Sequence, residues 1–262
     1  MNEVTSTSDI FVRHAAAGNG LAWWSNAFSW LFGDLSRLVV WIAMGLTVFI
    51  GTSLLHLVPG IGSIASFLLG FVLSGGLMTA AHKTALGQVV RFADLFSGFG
   101  PNAAALLGVG LLALLGMAVI GGLLLLLGMG AIFAAMASAW TNPDLASGQL
   151  LATGFGGTSL LLLVLSLCLL VPLSMALWLA PALIVLRGAR PVDALRLSLA
   201  ATWHSGAALT VYGIGFIFLS FAATIVLMVG WIFLMPLLFL STYAAYRDLF
   251  DLPADVPDAK AA

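Results

Sequence analysis

Charged positions punctuate long apolar stretches along the chain. Residues 38–82, 95–143, 145–186 and 197–246 contain no Asp, Glu, Lys or Arg. A helix needs about 20 apolar residues to cross about 30 Å of hydrocarbon. The first window has room for two such helices, and Val58-Pro59-Gly60 with Gly62 supplies the turn between them. The pattern predicts spans over Leu38–Leu57 and Ile61–Ala81. The last window predicts Ala207–Met228 and Trp231–Tyr246, with Gly230 at the turn. The middle windows predict Ala103–Leu127 and Ser159–Leu186, the second kinked by Pro172 and Pro181. Between them, residues 128–158 form a loop whose polar part is Thr141-Asn142-Pro143-Asp144.

Charge parity sets the count. Lys83 and Arg91 precede the middle windows; Arg187, Arg190 and Arg196 follow them. The positive-inside rule puts both clusters in the cytoplasm, so the number of crossings between them is even. Two is the economical number. The expected fold is therefore all-α: a bundle of six transmembrane helices with both termini inside. All nine basic residues, which also include Arg13, Arg37, Arg247 and Lys260, then share the cytoplasmic side. The external loops hold only Asp144. Residues 1–20 and 251–262 read as polar tails flanking a single domain over 21–250. No cleavable signal peptide is expected, because the first apolar stretch has no basic segment before it at the extreme terminus and is long enough to span.

A shorter rhythm overlies the spans. Leu21–Arg37, Phe92–Asn102 and Pro191–Ser205 each mix apolar and polar residues, and each precedes an outgoing span and its return. The chain thus reads as three repeats of a surface segment plus a hairpin. Trp23, Trp24 and Trp30 in the first segment and Trp203 in the third suggest amphipathic helices at the cytoplasmic headgroup level. Arg91-Phe92-Ala93-Asp94 and Arg190-Pro191-Val192-Asp193 open the second and third units with the same Arg-x-x-Asp pattern. An acid suits the positive end of a helix dipole and Pro191 suits a first helical position. The pairs are either capping charges or a binding feature. In the second span, Gly62, Ser66, Gly70 and Ser74 recur every four residues on one face. Small residues at this spacing let helices approach closely. The stripe is expected to put Gly70 against another helix, either within the bundle or at a dimer seam or permeation groove.

Composition narrows the class. The 262 residues are 62% apolar and 7% charged, against about 25% charged in soluble domains. Nineteen charged side chains cannot cover a soluble surface. Nine basic against ten acidic residues give no electrostatic footprint for nucleic acid. The one cysteine, Cys168, lies inside the fourth span and forms no intramolecular disulfide.

Candidate chemistry is sparse. No carboxylate or amine lies within a predicted span, whereas ion-coupled transporters keep such costly groups for work. His14, His56, His82 and His204 are scattered, without His-x-x-x-His spacing or a Cys/His cluster. Nucleophile elbows and phosphate-cradling glycine loops are absent from the sequence. No catalytic residue, metal or cofactor is expected.

Trp178–Ser205, WLAPALIVLRGARPVDALRLSLAATWHS, combines Ala-Pro-Ala-Leu in a span, a Gly-containing turn, and Ala-Leu, Ser and Trp in a surface helix. It resembles uncharacterised six-span inner-membrane proteins of proteobacteria. That family is distantly related to YciC-type proteins and to the membrane domain of some glycerophosphodiester phosphodiesterases. Val90–Phe99, VRFADLFSGF, and Tyr243–Phe250, YAAYRDLF, are similar to its other recurring stretches. The resemblance covers about residues 20–250. It implies six helices with surface segments and carries no catalytic residues. The expected function is a non-enzymatic inner-membrane protein that organises lipids or partners, a second copy or another membrane protein among them. The alternative is a transporter or channel for a lipid-like or small neutral solute.

Overall fold

The computed structural model describes residues 13–141, 157–225 and 230–250. Helix α1 covers Asn19–Phe32, α2 Leu35–Leu55 and α3 Ile61–Ala85. A 3₁₀ segment follows at Phe92–Phe99, then α4 at Ala103–Thr141. The second half holds α5 at Gly157–Trp178, α6 at Ala180–Arg187, α7 at Pro191–His204, α8 at Gly206–Ile225 and α9 at Gly230–Leu249. No strand occurs among the described residues. Five stretches are long and apolar enough to cross a bilayer: Leu35–Leu55, Ile61–Ala85, Ala103–Gly128, Leu160–Arg187 and Gly206–Ile225. The protein is a helical membrane protein. Its helices expose Phe49, Ile50, Leu54, Leu115, Leu126, Leu160, Phe218 and Phe221, a surface that water would not tolerate at this density.

The sixth expected span, 231–246, falls in α9, which is not among these five. The difference comes from its sequence. Ser241, Thr242, Tyr243 and Tyr246 interrupt the apolar run, and Arg247 and Asp248 close it. Residues 226–229, at the expected end of the fifth span, lie outside the described residues.

Two further boundaries move. The third span was expected to stop at Leu127, but α4 continues to Thr141 as one helix of 39 residues. Residues 128–141 contain no proline and are rich in alanine, so nothing in that stretch ends a helix. Asn142 and Asp144 of the expected loop lie outside the described residues. The expected kink in the fourth span is a break at Leu179, between α5 and α6. Pro181 stands at the start of α6, where a missing N–H costs no helical bond. The break is held open by a side chain from α7. Ser198 Oγ donates to the Met175 carbonyl at 2.7 Å and accepts from the Leu179 N–H at 3.1 Å. It thus inserts itself between two groups that a continuous helix would have bonded directly. Gly188 then ends α6 in the left-handed conformation, with φ of 65°.

The chain divides into two compact units. The smaller, Leu111–Ser174, pairs the later part of α4 with α5. Gly116 faces Leu173 and Gly128 faces Leu162, so the two helices run antiparallel. The larger unit joins the residues up to Gly110 with those from Met175 onward. In it the C-terminal ends of α3, α6 and α9 meet. His82 Nδ1 lies 2.7 Å from the Tyr243 hydroxyl. Arg187 donates from Nε to the Tyr246 hydroxyl at 3.2 Å and from its guanidinium to the Phe250 carbonyl at 3.0 Å.

The short segments dock on these ends in order. The 3₁₀ segment packs on α3, α7 on α6, and α1 on α9. The first contact is backbone to backbone. A Cβ on Gly76 would overlap the Leu95 carbonyl oxygen, and one on Gly98 would overlap that of Val72. Only glycine permits either approach. The α2 helix starts with a cap. Asp34 accepts from the Ser36 N–H at 2.9 Å and hydroxyl at 2.7 Å. The Ser36 hydroxyl and N–H hold its carboxyl below the usual carboxylate range.

Candidate functional site

Helix α1 carries three faces, and they organise the site. Gly20, Trp24, Ala27 and Leu31 are buried against the bundle. Leu21, Phe28 and Phe32 point outward. Asn19, Trp23, Asn26 and Trp30, spaced by four, three and four residues, form a third face. That face lines a cavity of about 510 Å³. The opposite wall is the end of α9, with Ala244, Arg247 and Asp248; Arg13, Ala22 and Ala85 complete the lining.

Asp248 anchors the joint between α1 and α9. Its Oδ2 accepts from the Asn19 amide at 2.7 Å and from the Trp23 indole at 2.9 Å. The Arg247 guanidinium lies 6.0 Å from the centre of the Trp30 ring, within range of a cation–π attraction. The backbone of Arg13 donates to the Leu249 carbonyl at 2.9 Å, and the Ala15 N–H donates to Ser205 Oγ at 3.1 Å. Part of the expected N-terminal tail is therefore fastened to the bundle.

Below this joint lies an aromatic layer. Trp24 stacks on Tyr212 with ring centres 4.8 Å apart and donates to the Tyr212 carbonyl at 3.1 Å. Trp178 packs against both Trp23 and Tyr212 and donates to Thr242 Oγ1 at 3.0 Å. Tyr212 and Ser241 share a hydrogen bond at 3.0 Å. Each buried polar tip has a partner, as burial requires.

The expected interfacial tryptophans separate into two groups. Trp23 is 1% exposed and Trp24 5%, so these two face the interior. The correction has a simple cause: their N–H groups find acceptors in Asp248 and Tyr212, which lets the rings be buried. Trp30 is half-buried, while Trp203 is 66% exposed. The expected charge pairs are also rearranged. Asp94 accepts from the Arg91 backbone N–H at 2.9 Å, as a cap, but its ion pair at 2.7 Å is with Lys83 of α3. Asp193 sits in the first turn of α7, after Arg190 and Pro191.

The small-residue stripe is used unevenly. Gly62 packs against Leu55 at the α2–α3 turn, and Ser66 is buried near His56. Ser74 donates to the Phe71 carbonyl at 2.7 Å. Among the described residues, nothing outside its own stretch of helix lies within 4 Å of the Cβ position of Gly70, so none of them makes the expected helix contact there. The close approach falls instead at Gly75 and Gly76.

Sequence reasoning passed over Asp248, Asn19, Tyr212 and Trp178. One signal could have found Asp248. An Arg-Asp pair directly after a predicted span, beside a segment rich in Trp and Asn, offers opposite charge and donors at the same membrane level.

Comparison with known proteins gives a consistent but coarse picture. The chain is 28% identical to a "probable inner membrane protein" of Burkholderia thailandensis, over 90% of this chain and 92% of that one. No protein-family model matches it, and no solved structure does.

Proposed function

We propose that this is a multi-pass inner-membrane protein that works without catalysis, gathering lipids or partner proteins at its charged end. The inner-membrane assignment draws on the similarity to the Burkholderia protein. In this reading α9 is the sixth span and the three short segments are repeats: the 3₁₀ segment and α7 each sit on the returning helix of the unit before, and α1 sits on the returning helix of the last unit. The basic residues at the ends of α3, α6 and α9 make that end cytoplasmic, with both termini on the same side. The relationship to YciC-type proteins and to phosphodiesterase membrane domains belongs to this proposal as well.

The observation that carries the reading is the packing of the larger unit. Its short segments and chain ends are tied into the charged end by Lys83–Asp94, by Arg187 with Tyr246, and by Asn19 and Trp23 with Asp248. The layer beneath is filled with large aromatic rings, which favours a platform over a conduit. A transporter would use a broken helix to offer backbone groups to a solute. Here the break at Leu179 is already filled by Ser198, which favours the platform again. Proteoliposome swelling with glycerol or urea separates the two readings. The platform gives solute entry no faster than protein-free vesicles. Protein-dependent entry would establish the transporter instead.

A further inference from the structure

The 3₁₀ segment, Phe92–Phe99, is locked against α3 by its backbone. Gly76 meets the Leu95 carbonyl and Gly98 meets that of Val72, so the segment cannot roll on α3 without a clash. The lock fixes which side chains face away. Phe92, Phe96 and Phe99 are all exposed. Ring centres are 5.9 Å apart for Phe92 and Phe96 and 6.4 Å for Phe96 and Phe99. The three rings therefore form one row, and a contiguous apolar patch marks an interface.

The level of this row along α3 identifies what it meets. Gly76 and Val72 lie roughly 14 and 20 Å short of Ala85, the last residue of α3, at about 1.5 Å per residue. Val72 is close to the middle of a helix that is long and apolar enough to cross a bilayer. The charges of the segment stay at its start. Arg91 and Asp94 precede Leu95, and Asp94 is tied to Lys83 near the end of α3. After Asp94 no charged side chain occurs again before Asp144. The chain thus enters beside the charged end of α3 and carries its aromatic row to the level of the apolar part of that helix. On another side of α3, at the same level, Gly75 meets Leu106 of α4 and Val185 of α6. The row accordingly faces out of the bundle. Irregular backbone at membrane depth is tolerated where protein covers it, and the contact with Gly76 and Val72 supplies that cover.

We propose that Phe92, Phe96 and Phe99 form a rigid wedge among the acyl chains of the leaflet at the charged end of the bundle. The proposal rests on the platform reading and names lipid, not a partner protein, as what this face holds. An in-plane amphipathic segment buries its apolar face about 5–10 Å into the boundary between headgroups and acyl chains. The wedge does the same with three rings whose direction is set by glycine contacts.

Electron paramagnetic resonance of the full-length protein in phosphatidylethanolamine–phosphatidylglycerol vesicles tests the wedge. In a Cys168→Ala background, a nitroxide is attached in turn at Phe96→Cys, Phe99→Cys and Gln88→Cys. All three positions are exposed, so labelling leaves the packing in place. Collisions with oxygen, which concentrates among acyl chains, are compared with collisions with a water-soluble nickel chelate. The ratio of oxygen to nickel accessibility should be severalfold higher at positions 96 and 99 than at position 88. Ratios at 96 and 99 no higher than at 88 would place the row in water and overturn the proposal. Low accessibility to both agents at 96 and 99 would mean that protein covers the row, which overturns it as well. Solute entry plays no part in this readout, so the platform reading and the wedge fail independently.

Discussion

Ser198 does two jobs with one hydroxyl, and losing it would strand both groups it serves. In Ser198→Ala the Met175 carbonyl and the Leu179 N–H are left without their partner at a buried helix break. A buried group left unsatisfied costs about 1–3 kcal/mol, so thermal unfolding in detergent should shift down by several degrees. Ser198→Thr, which keeps the hydroxyl, should recover part of the loss. Glycines supply a second contrast. Gly76→Leu drives a side chain into the Leu95 carbonyl and should destabilise or abolish the fold, whereas Gly70→Leu meets open space and should melt like the parent. A drop in melting temperature for Gly70→Leu only when the protein oligomerises would identify that face as a seam between copies. The regular four-residue spacing could not reveal this difference. Spacing says which residues share a face, but only the partner's position says which of them is touched.

At the level of elements, the short segments before each hairpin were visible in the sequence as stretches too polar to span. Their partners were not, because docking depends on which helix end arrives beside them. Trp23 and Trp24 illustrate the limit. An aromatic face at a membrane boundary reads equally as a lipid anchor or as an inward layer, and what decided it was an acceptor from a distant part of the chain, Asp248 for one and the Tyr212 carbonyl for the other. The expected outcome follows for single-tryptophan variants in vesicles with lipids brominated at shallow depth. Trp203 should be quenched, and Trp23 and Trp24 should not. Strong quenching of Trp24 would mean that α1 is not seated on α8 and α9. The break in the fourth span was legible from Pro181, whereas Pro172 lies inside α5 without ending it; the position of the break at Leu179 was set by Ser198, 19 residues further on.

Across the whole molecule, charge-free windows located most of the apolar helices because a bilayer penalises charge wherever a span lies. They located their ends less well, since α4 runs beyond Leu127 with nothing in its sequence to stop it, and α9 mixes apolar residues with a polar, buried end. On the proposed reading, Lys83, Arg190 and the end of α9 lie together on the cytoplasmic side of a chain that crosses the membrane an even number of times. Cys168 is the one native cysteine, so a Cys168→Ala background allows single reporters at positions 83, 144 and 190. Labelling intact cells and then permeabilised cells with a membrane-impermeant maleimide is the most direct measurement. Label is expected at position 144 in intact cells, and at positions 83 and 190 only after permeabilisation. Label at position 190 in intact cells would contradict it.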